Sequence, residues 1–216
     1  AGVWYALDKA QGLQAGGCTC GKRGRCGDRA RMSLIPVFLG LGSNIERERH
    51  LLAGLDALEL LLPGLRCSAV FESQPVGIKS GPFLNLVVAT NTGLSLAELD
   101  RQLKAIESDN GRYAPGREGL PLDIDILLYG DQVGLFDGLR LPREEILHNA
   151  FVLWPLALLA PERVHPVAGR DFVDLWRTAK IKQSLRPVAF SWRGKDLTSI
   201  DLIETFSASN NDKKPD

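Results

Sequence analysis

The chain of 216 residues has no surplus of charge: Lys and Arg total 26, and Asp and Glu total 26. A net charge of zero removes the overall basic footprint of a DNA- or RNA-binding domain. It leaves room for a local basic cleft around a phosphorylated ligand. Long hydrophobic runs are also missing. The longest apolar stretch, near 150–160, is too short to span a bilayer and contains Pro155, so no membrane partner is expected. No apolar run of the signal-peptide kind stands near the N-terminus, and the default expectation is a cytoplasmic protein. Cysteine is scarce and badly spaced for a secreted disulfide framework: Cys18, Cys20 and Cys26 crowd one segment, and Cys67 stands alone.

The composition, 44% hydrophobic and 24% charged, is that of an ordinary globular chain, long enough for one domain with a core plus tails. Residues 12–31 are rich in Gly, Arg and Cys and poor in apolar periodicity. We therefore expect 1–31 to lie outside the folded domain, as the tail of a preceding domain or as read-through upstream of Met32, the only methionine. Three thiolates make an incomplete zinc site unless Asp28 or another group completes it; an unstructured basic segment is the stronger reading. The domain is expected over 32–192. The polar end, 193–216, has a disordered-tail composition.

Between these limits the apolar pattern alternates in period. Val37–Leu41 reads as a buried strand ending at Gly42-Ser43-Asn44. Glu46–Leu62 carries a leucine face that stops at Pro63-Gly64. Cys67–Glu72 and Phe83–Thr92 read as strands. Ser95 caps a helix to about Asp109, with Glu98 as capping-box partner, and Leu122–Tyr129 is a fourth strand. The order β-α-β-β-α-β predicts an α+β, ferredoxin-like core. A hairpin near Val133–Leu141 and a C-terminal helical segment near Phe151–Leu159 are added to it.

Leu122-Asp123-Ile124-Asp125-Ile126 is the most informative run. On a strand, Asp123 and Asp125 share a face and the isoleucines take the other. Paired carboxylates repel each other and lose hydration if partly buried. A magnesium ion relieves both costs, using a few carboxylates, water and substrate phosphate oxygens. A solvated acidic edge is the plainer alternative.

The surrounding blocks add context: Gly40-Leu41-Gly42-Ser43-Asn44, Phe71-Glu72-Ser73-Gln74-Pro75-Val76-Gly77, Pro82-Phe83-Leu84-Asn85, Ile106-Glu107 before Arg112, Asp123–Gly130, Leu141-Pro142 and Phe151-Val152-Leu153-Trp154-Pro155-Leu156. In this order and spacing the set resembles the 6-hydroxymethyl-7,8-dihydropterin pyrophosphokinase family of folate biosynthesis, over about Ile35 to Trp192. The resemblance implies transfer of diphosphate from ATP to 6-hydroxymethyl-7,8-dihydropterin, with AMP released. It implies two magnesium ions (Mg2+) on Asp123 and Asp125. Phe83 and Phe151 are expected to sandwich the pterin, Asn85 to bond its edge, and Ser73, Val76 and Gly77 to close the pocket. Glu107 and Arg112 are expected near the nucleotide, with Arg112 joining the aspartates in catalysis.

The departures lie on the ATP side. Ala114, Leu120 and Asn149 stand where the family usually has Arg, and Arg143 where it commonly has His. Arg117 and Arg143, with Arg140 or Lys79, are the candidates to replace that charge, because the guanidinium fork suits phosphate. Two other functions fit less well. One is a pterin-binding paralogue with weakened ATP chemistry. The other is a ferredoxin-like RNA-binding or regulatory module, for which no RNP-like aromatic motif is present. A monomer that binds no nucleic acid is the expected state.

Overall fold

The structure is a computed structural model that describes residues 34–75, 80–115 and 119–211. Met32–Asp216 form one compact unit; the expectations for 1–31, including zinc at Cys18, Cys20 and Cys26, lie outside the described residues. In chain order the elements are β1 Ile35–Ser43, α1 Arg47–Leu61, β2 Arg66–Cys67, β3 Val70–Ser73, β4 Phe83–Thr92, α2 Leu96–Asp109, β5 Asp123–Tyr129, β6 Gly134–Phe136, β7 Leu139–Leu141, α3 Glu145–His148, α4 Ala150–Leu159, α5 Phe172–Thr178, β8 Leu185–Val188, β9 Ser191–Trp192, β10 Lys195–Asp196 and α6 Ile200–Asn211.

The main sheet runs β5-β1-β4-β3-β8, with β2 also paired to β4. Every pairing is antiparallel. Its first four strands have the ferredoxin-like order, and the fold is α+β as the alternation of periods predicts. One sheet face is sealed by α1 and α2. Leu51, Leu55 and Leu58 of α1 and Leu99 and Leu103 of α2 meet Val37, Leu39 and Leu41 of β1 and Ile124 and Ile126 of β5. Burial of each such leucine stabilises the fold by about 1.5–3 kcal/mol. On the other face, Phe38, Val87, Leu127 and Leu128 pack under Val152, Leu153 and Leu156 of α4 and Phe172 of α5. That second cover stops at the start of α4 and leaves one end of the sheet open.

Local signals behave as their chemistry requires. Ser95 Oγ accepts from Glu98 N at 3.3 Å, while the Glu98 carboxylate turns to Arg101 and Gln102 instead of completing the box. The β6–β7 hairpin turns at Asp137-Gly138, both at positive φ (50° and 87°), the backbone that an Asp-Gly pair favours. The expected strand Cys67–Glu72 is two strands. Ser68 interrupts it, exchanging bonds with Val87 through both its backbone and its hydroxyl.

The polar end departs from expectation. Residues after 192 do not begin a disordered tail: β10 and α6 follow. Thr198 is buried and accepts from Val70 N at 3.0 Å, and Phe206 lies 6.0 Å from the Trp154 ring. Ile200, Leu202, Ile203 and Phe206 supply a short helical apolar pattern that the surrounding Ser, Asn and Asp mask in a composition average. No helix among the described residues is long and apolar enough to cross a membrane.

Candidate active site

The open end of the sheet holds a cavity of about 350 Å³, within the range of small-molecule sites. Its floor follows from the sequence of β1. Gly40 pairs with Val87 and Asp125, and Gly42 with Asn85 and Asp123. Two glycines on one face of a central strand leave that stretch of the face, beyond Phe38, without side chains. A Cβ on Gly42 would stand 3.3 Å from Asn85 Oδ1 and 3.7 Å from Phe83. Above this floor project Ser73, Phe83, Asn85, Asp123 and Asp125, with Arg143, Glu145, Asn149 and Phe151 along the rim.

One end is neutral. Asn85 and Ser73 are both buried, and Asn85 Nδ2 donates to Ser73 Oγ at 2.9 Å. Phe83 from β4 and Phe151 from α4 line the same cavity. The other end is charged. Arg112 Nη2 donates to Asp123 Oδ1 at 3.1 Å, and Arg143 Nη2 donates to Asp125 Oδ1 at 2.7 Å. Arg143 is anchored through its backbone N–H to Leu127 O at 3.0 Å, and its guanidinium lies 3.4 Å from Glu145. Burial raises the Asp123 carboxyl above its ordinary range, Arg112 opposes the rise, and Glu107 adds to it. Burial also raises Asp125, helped by the charge of Asp123 and opposed by Arg143.

These carboxylates suit a divalent cation, since negative neighbours and partial desolvation are what such an ion relieves. No group of three His, Cys, Asp or Glu among the described residues is placed to hold a metal. An ion on this pair therefore needs further ligands from water and from substrate oxygens, the manner in which magnesium binds phosphate esters.

Two flanking loops are pinned beside the cavity by Asn44. Its Oδ1 accepts from Leu120 N at 2.6 Å, its backbone N–H donates to Leu120 O at 3.0 Å, and its Nδ2 reaches Gly81 O at 3.4 Å. Gly119, at φ 99°, allows this approach, because a Cβ there would lie 2.7 Å from Asn44 Oδ1.

The structure thus gathers Ser73, Phe83, Asn85, Asp123, Asp125, Arg143 and Phe151 in one cavity, with Arg112 bonded to Asp123. Val76, Gly77, Lys79 and Arg117 lie outside the described residues. Arg140 pairs with Glu144 on the surface, away from the cavity. Glu107, expected near the nucleotide, does not line the cavity: its buried carboxylate accepts from Ile124 N at 2.7 Å and from Tyr113 Oη at 3.0 Å. Both oxygens are committed to the protein because β5 is an edge strand whose outward N–H at Ile124 needs an acceptor. Gly40, Gly42 and Asn44 received no site role from the sequence. The alternation of glycine with Leu39 and Leu41 was the available signal.

A ferredoxin-like α+β domain with a neutral, aromatic slot beside an acid pair and two guanidiniums defines a small-molecule enzyme whose charged end suits polyphosphate. The family model for 7,8-dihydro-6-hydroxymethylpterin-pyrophosphokinase (HPPK) matches residues 38–161, and the chain belongs to that family. A 2-amino-4-hydroxy-6-hydroxymethyldihydropteridine pyrophosphokinase of Aquifex aeolicus is 36% identical over 157 residues, 71% of this chain and 96% of that protein. Its Pseudomonas aeruginosa counterpart is 42% identical over 145 residues, 64% of this chain and 88% of that one. Among solved structures, the wild-type Plasmodium falciparum HPPK-DHPS with pteroate matches at a TM-score of 0.60 and 15% identity. It covers 77% of this chain, and this chain spans about half (49%) of that one. At that identity the likeness concerns the fold alone.

Proposed function

We propose that this chain transfers a diphosphoryl group from ATP to 6-hydroxymethyl-7,8-dihydropterin and releases AMP, a step of folate biosynthesis, acting as a cytoplasmic monomer without nucleic acid. The observation that carries this reading is the cavity itself, with the acid pair Asp123 and Asp125 at one end and Phe83, Asn85 and Phe151 at the other. The aromatic rings hold the flat pterin by stacking and apolar burial. Asn85, kept in orientation by Ser73, meets the mixed donors and acceptors of its edge. Asp123 and Asp125 would hold two magnesium ions, which would supply charge neutralisation along the phosphates.

Arg112 and Arg143, the guanidiniums beside the pair, would bond phosphate oxygens, which their planar forks suit. The pterin hydroxymethyl oxygen then bonds to the β-phosphorus as the bond to the AMP oxygen breaks, and its proton passes to water. Rate enhancement comes from positioning and from charge stabilisation in a partly dry site. The test is to incubate the purified chain with ATP, magnesium and 6-hydroxymethyl-7,8-dihydropterin and measure AMP by chromatography. Pterin-dependent AMP is expected; none above the pterin-free control would end this reading.

One observation favours a second reading. Leu120 and Asn149 line the cavity at positions where the resemblance expects guanidinium groups, which suits a pterin binder with weakened ATP chemistry. Pterin binding without AMP formation would select it.

A further inference from the structure

Gln183 lies beyond the 38–161 span that the family model covers and carries none of the family's motifs, yet its side chain reaches the cavity rim. Its Oε1 accepts from Ala150 N at 2.8 Å, and its Nε2 donates to Asn149 Oδ1 at 3.0 Å. Together these bonds fix two amide orientations. A backbone N–H only donates, so the Gln183 atom beside Ala150 is the carbonyl oxygen. The remaining Gln183 group is then NH2, which also only donates, so the Asn149 atom facing it is Oδ1. Asn149 lines the cavity, and its Nδ2 makes no protein hydrogen bond among the described residues. The rim therefore offers the ligand a neutral donor.

We infer that Asn149, held in this orientation by Gln183, determines specificity on the nucleotide side: its Nδ2 donates to a phosphate oxygen of the ATP that occupies the charged end. A group with only donors to give suits a ligand group that only accepts, and phosphate oxygens are of that kind. The mixed edge of a pterin is already matched by Asn85 and Ser73. Arg143, which lines the same cavity, brings a charged donor to the same rim. Gln183 is the positioning residue; it does not itself line the cavity. The inference rests on the function proposed above.

The decisive variant is Gln183→Glu in the full chain. Its carboxylate still accepts from Ala150 N, but it turns a second acceptor toward Asn149. The Asn149 amide must rotate to satisfy it, and Oδ1 then faces the ligand. Binding of α,β-methylene-ATP with magnesium, followed by calorimetry, should weaken about 10-fold to 100-fold. Binding of 6-hydroxymethylpterin should stay within about twofold, which also verifies the fold. In an Asn149→Ala background, Gln183→Glu should add nothing further. Asn149→Asp removes the same donor in place and should weaken the nucleotide at least as much. An unchanged nucleotide affinity in Gln183→Glu overturns the inference. So does a penalty that persists in full in the Asn149→Ala background, because the added charge alone then explains it. If the wild-type chain binds no nucleotide, the proposed function falls as well. If it binds both ligands and Gln183→Glu behaves like wild type, this inference alone falls.

Discussion

The two ends of the cavity solve the problem of waiting for a ligand in opposite ways. At the neutral end, Asn85 is bonded to Ser73 and sits over a glycine floor, so its shape is set before anything binds. At the charged end, each carboxylate is held by its own arginine, Asp123 by Arg112 and Asp125 by Arg143. Under the function proposed above, these partners would be exchanged for cations and phosphate oxygens. The neutral end would then work by preorganisation, the charged end by substitution of one ionic partner for another. The sharpest way to test that contrast is to remove a carboxylate. Asp123→Ala or Asp125→Ala should lower AMP release by about 10³-fold or more, the scale of losing a group that neutralises charge in the reaction, while pterin affinity is kept. Near-normal turnover in both variants would take the pair out of the reaction.

The next effect is mixed, because Glu107 supports the charged end from behind. Glu107→Ala orphans the Ile124 N–H between the two aspartates, at a cost of about 1–3 kcal/mol, or a drop in Tm of roughly 2–10 °C for a chain of this size. Glu107→Gln keeps an acceptor and should recover most of that loss. Thermal unfolding read beside the KM for ATP separates two roles. A residue that touches nucleotide would raise KM in Glu107→Gln with no change in Tm, and that result would restore the role the family resemblance assigned.

The contrast between the two ends was partly legible in the sequence. Asp123-Ile124-Asp125 carries its geometry openly, since strand alternation alone puts both carboxylates on one face. The ferredoxin-like order was legible for the same reason, because each element has a clean period and a turn or cap at its end. The direction of Glu107 was not legible, because its motif spacing marks a position and says nothing of where the side chain turns. Only the packing of α2 against an edge strand turns it inward. Gln183 was invisible, since a single glutamine in a loop has no periodicity or motif, and its bonds join segments 33 and 34 residues apart. The helix at Ile200–Asn211 was hidden by its polar neighbours.

A smaller perturbation should touch the neutral end alone. In Gly42→Ala the new Cβ meets Asn85 Oδ1 at 3.3 Å, so the amide must give by a few tenths of an ångström. Pterin affinity should fall by about threefold to tenfold, the scale of one strained hydrogen bond, with nucleotide affinity unchanged. Calorimetry with each ligand separately reads both. An equal loss for the two ligands would mean that the ends are not independent.

The smallest expected effect has the opposite sign, a gain in stability. The Asp125 carboxyl is raised from the ordinary value of 3.8 by burial and by Asp123, against the pull of Arg143. An acid whose folded pKa is raised costs stability above that raised value, because the folded state then holds a charge that the unfolded chain carries more easily. The cost fades as the pH falls through the raised value and is gone below the ordinary one. Asp125→Asn removes the charge and keeps an oxygen for Arg143. At pH 7.5 the variant should be more stable than wild type, by less than about 1 kcal/mol because the side chain is partly exposed and screened, or about 1–3 °C in Tm. At pH 4.5 the gap should narrow. Melting curves at the two pH values decide the matter. A variant less stable than wild type at pH 7.5 would mean that the Arg143 ion pair outweighs burial, and the charged end would then be a stabilising element instead of a strained one held for chemistry.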